Sequence, residues 1–200
     1  MDGRTGKGER TRARLLEVAV RRFAAEGYRR TSLSAVADDA GVTPAAAYAY
    51  FRGKEGLFEA AVDADAAALI DEALGGLGEG AMVSPHSLLL PLLVAGLETH
   101  PLARRVLAGQ EPEVIDRLLA LPSLLELRAR VADGLALAQS MGAVRADIDP
   151  QSLSIGLETV VLALLIASLQ VHGVDEERTA GVGAVFDAIL KSPPAVPPRR

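Results

Sequence analysis

The sequence predicts an all-α protein, with an amino-terminal three-helix head that contains a helix-turn-helix and a larger helical body. Half of the 200 residues are hydrophobic but only 4% are aromatic, so the core must be built from Leu, Ala and Val. Apolar side chains recur at helical spacing, and no segment alternates as a strand would. A chain of this length is sufficient for one or two compact domains with a real core.

The chain begins with a polar, glycine-rich segment, residues 1–9, which we expect to be a flexible arm. Its side chains Arg4 and Lys7, together with Arg10, are candidates for contact with phosphate or the minor groove, as in the arms of other DNA-binding folds. The alternative is a solvated tail. The first helix is predicted from Arg10 to Glu26. Its buried stripe is expected to be Leu15, Leu16, Ala19 and Phe23.

Two short helices joined by a tight turn follow. Thr31 and Ser32 are candidate caps for the first of them, because their hydroxyls accept free N–H groups at a helix start. Gly41 supplies the positive φ that ends this helix. Thr43 is the next candidate cap, and Pro44 occupies the first helical position, where proline is favoured. In such a helix-turn-helix, the second helix is the natural reader of a DNA major groove.

The stretch from Arg10 to Val62 resembles the DNA-binding head of TetR-family transcriptional regulators. The residues that carry the resemblance are Leu15-Leu16, Phe23, Gly27-Tyr28, Thr31-Ser32, Ala40-Gly41-Val42, Tyr48, Tyr50-Phe51, Lys54-Glu55 and Leu57-Phe58. The rest of the chain resembles the family only in length, helical content and order. Ala46 and Ala47 stand where the family usually has a threonine and a leucine, and Gly53 stands where a serine or asparagine is common.

The resemblance implies that residues 10–58 form a DNA-binding domain. The residues that it implies at the DNA surface are Thr31, Thr43, Pro44, Ala45, Tyr48, Tyr50 and Lys54. The family positions that match Tyr48 and Lys54 typically meet phosphates. Thr31, Thr43 and Ala45 would face the DNA backbone or the base edges. The plainer alternatives are core packing for either tyrosine, above all for Tyr50, and a solvated position for Lys54.

Charge is distributed unevenly along the chain. Residues 1–58 contain 11 Lys and Arg against 7 Asp and Glu, a net charge of +4, whereas the remainder contains 10 against 19, a net charge of −9. A basic head on an acidic body fits a protein that meets phosphate at one end only. By itself the charge is weak evidence, but it agrees with the helix-turn-helix.

Residues 59–191 are predicted to form a helical domain for ligand binding and dimerisation. Helix four is expected over residues 54–74 and would join this domain to the head. The apolar run over residues 84–99 contains Pro91, which should kink it or split it. Residues 192–200, with four prolines, are predicted to be a disordered tail. Further helices are predicted over residues 102–107, 112–120, 122–141, 150–171 and 176–191.

Residues 153–171 are the most apolar segment. A membrane helix needs about 20 predominantly apolar residues, whereas the longest uninterrupted apolar run here, Val160 to Ala167, has eight. We therefore expect a soluble helix and no membrane contact. A small body cannot surround such a helix, so its second face should meet another chain. This helix and the amphipathic helix 176–191 are two helices per chain, which predicts a four-helix bundle across the two-fold axis of a homodimer. The family resemblance implies the same arrangement.

The sequence does not indicate an enzyme. The chain has no cysteine, which excludes disulfides, thiolate catalysis and cysteine-ligated zinc. The three histidines, His86, His100 and His172, lack metal-ligand spacing, and no glycine-rich phosphate loop follows a strand. We expect no catalytic residue, no cofactor and no metal. The first residues show no signal peptide, which predicts a cytoplasmic protein.

These features predict a TetR-like DNA-binding transcriptional regulator, a repressor released from double-stranded DNA by a small, mostly apolar effector. The polar side chains expected near the effector are His86, Glu98, His100 and Gln110. A tightly packed body with exposed polar groups is the alternative. For Glu98 and Glu158, pairing with an arginine such as Arg104 or Arg128, or contact with water, is favoured over a ligand role. The rival function is a helical ligand-binding or interaction protein whose head no longer binds DNA.

Overall fold

The computed structural model describes residues 3–76, 85–170 and 176–191. Within these ranges the chain is helical and contains no strand, which confirms the predicted all-α class. The predicted tail, residues 192–200, lies outside them. The elements are α1 (Gly3–Glu26), α2 (Leu33–Asp39), α3 (Pro44–Tyr50), α4 (Gly53–Gly76), α5 (Pro85–Gly96), α6 (Pro101–Leu107), a 3₁₀ helix (Pro112–Ala120), α7 (Pro122–Ser140), α8 (Pro150–Gln170) and α9 (Glu176–Leu190).

The chain divides into two compact units. The first contains Met1–Glu72 and Gly96–Leu124, and the second contains Ala73–Ala95 and Leu125–Arg200. The first unit therefore includes the head, most of α4, α6 and the 3₁₀ helix. The domain boundary predicted between residues 58 and 59 does not coincide with this division, because α6 and the 3₁₀ helix belong to the same compact unit as the head.

α1 begins earlier than the sequence suggests. It starts at Gly3 rather than near Arg10, so residues 3–9, predicted to belong to a flexible arm, are helical. Extending an existing helix requires no new nucleus, so even this glycine-rich segment can continue it. The added turns contain a hydrogen bond from Thr11 Oγ1 to the carbonyl of Lys7 at 2.9 Å.

The head has an apolar core to which α1, α2 and α4 contribute. Its largest members are almost completely buried, each no more than 1% exposed: Leu15, Phe23, Val36, Leu57 and Phe58. The rings of Phe23 and Phe58 meet edge to face with their centroids 4.9 Å apart, an arrangement that aromatic pairs prefer. This core fixes α2 and α3 on the two longer helices.

The caps predicted for α2 and α3 are confirmed. Ser32 Oγ accepts the N–H of Ala35 at 3.1 Å, and Thr43 Oγ1 accepts the N–H of Ala46 at 3.2 Å. Each bond satisfies one of the N–H groups that a helix start leaves unpaired. Gly41, between the two helices, has φ +64°, a conformation that favours glycine. The local sequence thus defines the helix-turn-helix.

α5 contains Pro91 without being split by it. Pro91 is exposed, while its neighbours Leu90 and Leu93 are buried. On an exposed face, water can satisfy the carbonyl group that proline leaves without an N–H partner, so the helix continues. The remaining body helices lie close to the ranges predicted for them, with residues 112–120 forming a 3₁₀ helix rather than an α-helix.

An ion pair joins α7 to α8 in the second unit. Arg128 donates from Nε to Glu158 Oε2 at 2.5 Å and from Nη2 to Oε1 at 3.1 Å. The Glu158 side chain is only 8% exposed. Its burial is compatible with charge because the guanidinium pairs with both oxygens. The favoured alternative for Glu158, pairing with an arginine, is therefore confirmed.

Candidate DNA-binding surface

α3 has one face that is exposed and an opposite face that is buried against the head. Ala47 is buried against the head, whereas Thr43, Pro44 and Ala45 are exposed. Tyr48 projects furthest, with 58% of its surface exposed. The exposed residues Ala45 and Ala49 are small, so the helix backbone beside Tyr48 can come close to another surface. These four predicted contact residues therefore lie on one accessible element.

Thr31 does not belong to this exposed face. It is 2% exposed, and its Oγ1 donates to the carbonyl of Gly27 at 3.0 Å. The hydroxyl is thus used inside the head, which corrects its prediction as a DNA contact. Ser32, the next residue, is exposed and caps α2. The sequence pattern could not separate the two neighbours, because both residue types suit a helix cap.

Tyr50 and Lys54 lie at the edges of the same surface. Tyr50 is partly exposed, and a Cβ added to Gly8 would lie 3.6 Å from its hydroxyl oxygen, so its ring extends towards α1. Lys54 Nζ donates to the carbonyl of Arg29 at 3.2 Å and lies 4.3 Å from the centroid of the Tyr28 ring. Its ammonium group is therefore held in place by the head and stays partly accessible.

Comparison with protein families agrees with this geometry. Residues 15–61 match the family described as "Bacterial regulatory proteins, tetR family". The match runs from α1 through the helix-turn-helix into α4. Residues 15–61 are therefore identified with the DNA-binding head of the TetR family.

Solved structures share the fold of this chain over most of its length. A putative TetR-family regulator from Rhodococcus sp. has 22% identity and a TM-score of 0.65, covering 90% of this chain and 98% of its own. A TetR-family regulator from Marinobacter aquaeolei VT8 has 24% identity and a TM-score of 0.56, covering 94% and 100%. A gamma-butyrolactone receptor described as ArpA-like has 25% identity and a TM-score of 0.50, covering 94% and 91%. No curated protein matches the chain.

The basic side chains of this TetR-family head fall into two groups. Arg21, Arg22 and Arg29 have carboxylate partners within 3.1 Å. In the described part of the chain, no ion pair involves the exposed arginines Arg10, Arg12, Arg14, Arg30 and Arg52. Unpaired cations near a reading helix are available to phosphate.

Two of these arginines lie beside the helix-turn-helix. A Cβ added to Gly41 would lie 3.0 Å from Arg14 Nη2, so this guanidinium borders the turn between α2 and α3. The Arg12 guanidinium carbon lies 5.4 Å from the centroid of the Phe51 ring at the end of α3. Local spacing in the sequence does not reveal either contact, because it does not contain the packing of α1 against the turn.

One of the paired arginines changes the acidity of its partner. Arg22 Nε donates to Asp39 Oδ2 at 2.6 Å, which joins α1 to the end of α2. This hydrogen bond is the main reason why the pKa of Asp39 is lowered and the pKa of Arg22 is raised. Asp39 thus stays ionised and compensated, and it adds no free negative charge to the head.

The residues predicted near an effector do not converge. The Glu98 side chain is 77% exposed, with Arg104 Nη1 at 3.8 Å. His100 is buried between two carboxylates of α4, its Nδ1 3.0 Å from Asp65 and its Nε2 3.1 Å from Glu72. The His86 side chain lies outside the described residues. Glu98 and His100 thus lie in different surroundings, one exposed and one buried, and their role near an effector stays a prediction.

Gln110, the fourth predicted effector residue, lines an open cleft of about 390 Å³ beside the turn between α1 and α2. Its lining is mostly charged, including Arg30, Arg105, Glu111 and Glu113. An apolar effector pocket has the opposite character. Within the described ranges, no group of three or more His, Asp or Glu side chains is arranged to hold a metal ion.

Proposed function

We propose that this TetR-family regulator is a cytoplasmic homodimeric repressor. Its two heads bind a pseudo-two-fold site in double-stranded DNA, and a small, mostly apolar molecule releases it. The observation that carries the proposal is α3, whose exposed face rests on the buried Ala47. A reading helix held by a rigid head and exposed on its outer side is the arrangement that enters a major groove.

The proposed DNA contacts are those on or beside this helix. Ala45 offers a methyl group, which suits apolar contact with thymine and gives no hydrogen-bond readout. Tyr48 and Lys54 supply a hydroxyl and an ammonium group for phosphate. Thr43, Pro44 and Tyr50 complete the surface. Because few of these side chains can read a base edge, DNA shape contributes to the choice of site.

The proposed dimer uses α8 and α9. In the most apolar 18-residue window of α8, only 17% is buried within the single chain. Ile155 and Val160 of α8 and Val185 and Ile189 of α9 are exposed apolar side chains. Such a large unpartnered apolar surface favours association of two copies, and a two-fold axis would pair identical surfaces.

α8 is also long and apolar enough to cross a membrane by length and composition. The ion pair between Arg128 and Glu158 argues for a water-soluble bundle instead, since a charged residue near the middle of a membrane helix is costly. The exposed face of α8 would equally suit a helical interaction protein whose head does not bind DNA. An assay of DNA binding separates this rival from the proposed regulator.

The proposed effector is a small, largely apolar molecule that binds in the helical body. The likeness to a gamma-butyrolactone receptor supports a small-molecule effector. Release requires only that the molecule bind more tightly to the conformation with low DNA affinity. Its contacts are assigned to apolar side chains of the body, since Glu98, His100 and Gln110 are not brought together.

Selection of bound duplexes from random DNA by the full-length protein tests the proposal. We expect an enriched site with pseudo-two-fold symmetry, bound by a dimer with an affinity that falls as salt rises. Ala45→Asp places a carboxylate on the exposed face of α3 and should abolish binding. Ala129→Asp, an exposed position on α7, is the matched control and should bind normally.

The outcome also separates the alternatives. A folded wild-type protein that enriches no duplex at low salt would favour the helical interaction protein. Thermal-shift screening of apolar compounds, followed by DNA release assays, tests the effector. A ligand present at a hundredfold excess over its dissociation constant stabilises the folded state by about 2.7 kcal/mol. Compounds that stabilise the protein and leave DNA affinity unchanged would contradict the release mechanism.

A further inference from the structure

A buried carboxylate, Glu111, contacts the turn between α1 and α2. Its side chain is 3% exposed. Oε2 accepts the backbone N–H of Tyr28 at 3.0 Å, and Oε1 accepts Nε of Arg105 at 2.8 Å, with Arg105 Nη2 at 2.7 Å. Glu111 follows α6 and precedes the 3₁₀ helix, so a residue outside the predicted DNA-binding domain holds a backbone group of the head.

Gly27 allows this contact to form. Its φ is +80°, and a Cβ at this position would lie 2.8 Å from both Arg105 Nη2 and Glu111 Oε1. A side chain here would displace the ends of Arg105 and Glu111, so the ion pair packs directly against the backbone of the turn. The glycine is thus required both by its conformation and by the space that the pair occupies.

The turn held by Glu111 leads directly into the helix-turn-helix. The carbonyl of Gly27 accepts the hydroxyl of Thr31, and Ser32 then caps α2. On its other side, Tyr28 packs against Phe58 with the ring centroids 4.9 Å apart. The start of α2 therefore follows a short turn that two hydrogen bonds fix. Glu111 accepts the N–H of Tyr28, and Thr31 donates its hydroxyl to the carbonyl of Gly27.

The partners of Glu111 satisfy both of its buried side-chain oxygens. One carboxylate accepts N–H groups from the Arg105 guanidinium and from the backbone, which compensates for the loss of water. The neighbouring pair, Arg29 with Glu113 at 3.1 Å, is different because the Arg29 side chain is 83% exposed. An exposed pair of this kind contributes little, so Glu113 provides a matched comparison for Glu111.

We propose that Glu111 is a positioning residue for DNA binding. By holding Arg105 and the Tyr28 N–H together, it fixes the orientation of the helix-turn-helix relative to α6. A displacement of α6 would then reach the head through the turn between α1 and α2, besides any path along α4. This inference rests on the proposed function for its DNA target, and it assigns a role to a residue distant from the reading helix in sequence.

The test compares Glu111→Gln with Glu113→Gln in the full-length protein. The amide of Glu111→Gln can still accept the Tyr28 N–H, but its NH₂ group then faces the donors of Arg105. We expect affinity for the selected duplex to fall about tenfold, the size expected for one charged hydrogen bond. Affinity for a random duplex should stay unchanged. Binding to random DNA rests on phosphate contacts, which depend less on the orientation of the helix-turn-helix than base contacts do. Glu113→Gln should match the wild type in both assays.

The deciding quantity is the ratio of the affinity for the selected duplex to the affinity for a random duplex, measured under conditions where each variant is fully folded. If Glu111 were only structural, Glu111→Gln would lower the unfolding midpoint and leave this ratio unchanged. Arg105→Lys keeps a cation beside Glu111 but loses the two-pronged donor, and should show the same loss in weaker form. Wild-type affinity in folded Glu111→Gln and Arg105→Lys would overturn the inference. A wild-type protein that binds no duplex would overturn the proposed function as well, so the two failures are distinguishable.

Discussion

Asp65 Oδ2 accepts the backbone N–H of Ala103 at 2.8 Å, so a side chain of α4 caps the start of α6. The residue at the cap position itself, His100, makes no capping hydrogen bond. Its Nδ1 lies 3.0 Å from the other oxygen of Asp65 instead. In the same way, Asp63 Oδ1 accepts the N–H of Ser123 at the start of α7 at 2.8 Å. Two aspartates of α4 thus satisfy the first turns of two body helices.

Replacing Asp65 should destabilise the protein strongly. Asp65→Ala leaves the Ala103 N–H and one nitrogen of His100 without partners in a buried position, which should lower the free energy of unfolding by about 2–3 kcal/mol. Urea unfolding of the purified protein measures this difference. Asp116→Ala, at an exposed position on the 3₁₀ helix, is the control and should stay within about 0.5 kcal/mol of the wild type. Equal losses for both variants would refute the capping role.

The contacts of Asp63 and Asp65 could not be predicted from the sequence, whereas those of two other helix caps could. The caps of α2 and α3 are local: Ser32 and Thr43 bond to N–H groups three residues ahead, so spacing alone identifies them. Asp63 and Asp65 bond to N–H groups 60 and 38 residues away. No local pattern contains that information, and an acidic residue on a helix usually indicates a solvated face.

The same distinction applies to the candidate DNA-binding surface. The exposed face of α3 could be predicted, because its proline, its cap and its small residues are adjacent in sequence. The burial of Thr31 could not, since it depends on the carbonyl of Gly27 and on the packing around the turn. Glu111 was not identified either, because it lies 83 residues from Tyr28, whose N–H it accepts.

Lys54 provides a test of the electrostatic part of DNA binding. Lys54→Ala should weaken binding to every duplex alike and lower the salt slope by about one unit, since one phosphate contact is lost. Its present contacts, with the Arg29 carbonyl and the Tyr28 ring, hold the ammonium group in the head. Gel shifts at several salt concentrations give the slope. Lys191→Ala, at an exposed lysine directly after α9, should leave the slope unchanged. An unchanged slope for Lys54→Ala would remove Lys54 from the contacts.

The pair Arg22 and Asp39 should make stability depend on pH in the acid range. The hydrogen bond from Arg22 lowers the pKa of folded Asp39 below the ordinary value of an aspartate. A carboxyl with a lowered pKa contributes stability above its unfolded pKa and loses it as the pH falls through the folded pKa. Asp39→Asn should therefore be less stable than the wild type at pH 7, and the difference should shrink as the pH falls below the ordinary aspartate pKa of about 3.9.

Urea midpoints of both proteins over this pH range measure the effect. The change is expected to be modest, because both side chains are partly exposed and salt screens them. Asp38→Asn, at the exposed neighbouring position, should show no such convergence. A difference between wild type and Asp39→Asn that persists unchanged at low pH would show that Asp39 acts through something other than its charge.

The proposed dimer is best tested on α9 rather than at the centre of α8. Leu165 is 6% exposed within the single chain, so a glutamate there would disturb folding before it could report on assembly. Val185 is 56% exposed in the single chain and suits the test better. Across a two-fold axis each substitution occurs twice, and losing two buried valines costs about 3 kcal/mol or more. Val185→Glu should therefore weaken the dimer about a hundredfold or more while leaving the fold intact.

Light scattering over a dilution series from micromolar protein measures the dissociation, and circular dichroism confirms that each variant is helical. Ile115→Glu supplies the matched control, because Ile115 is 44% exposed and lies on the 3₁₀ helix of the other compact unit. It should dimerise as the wild type does. A DNA site with two half-sites needs two heads, so Val185→Glu should also lose affinity for the selected duplex and keep its affinity for a single half-site. A monomeric wild type at micromolar concentration, or a Val185→Glu protein that dimerises normally, would exclude this face of α9 from the interface.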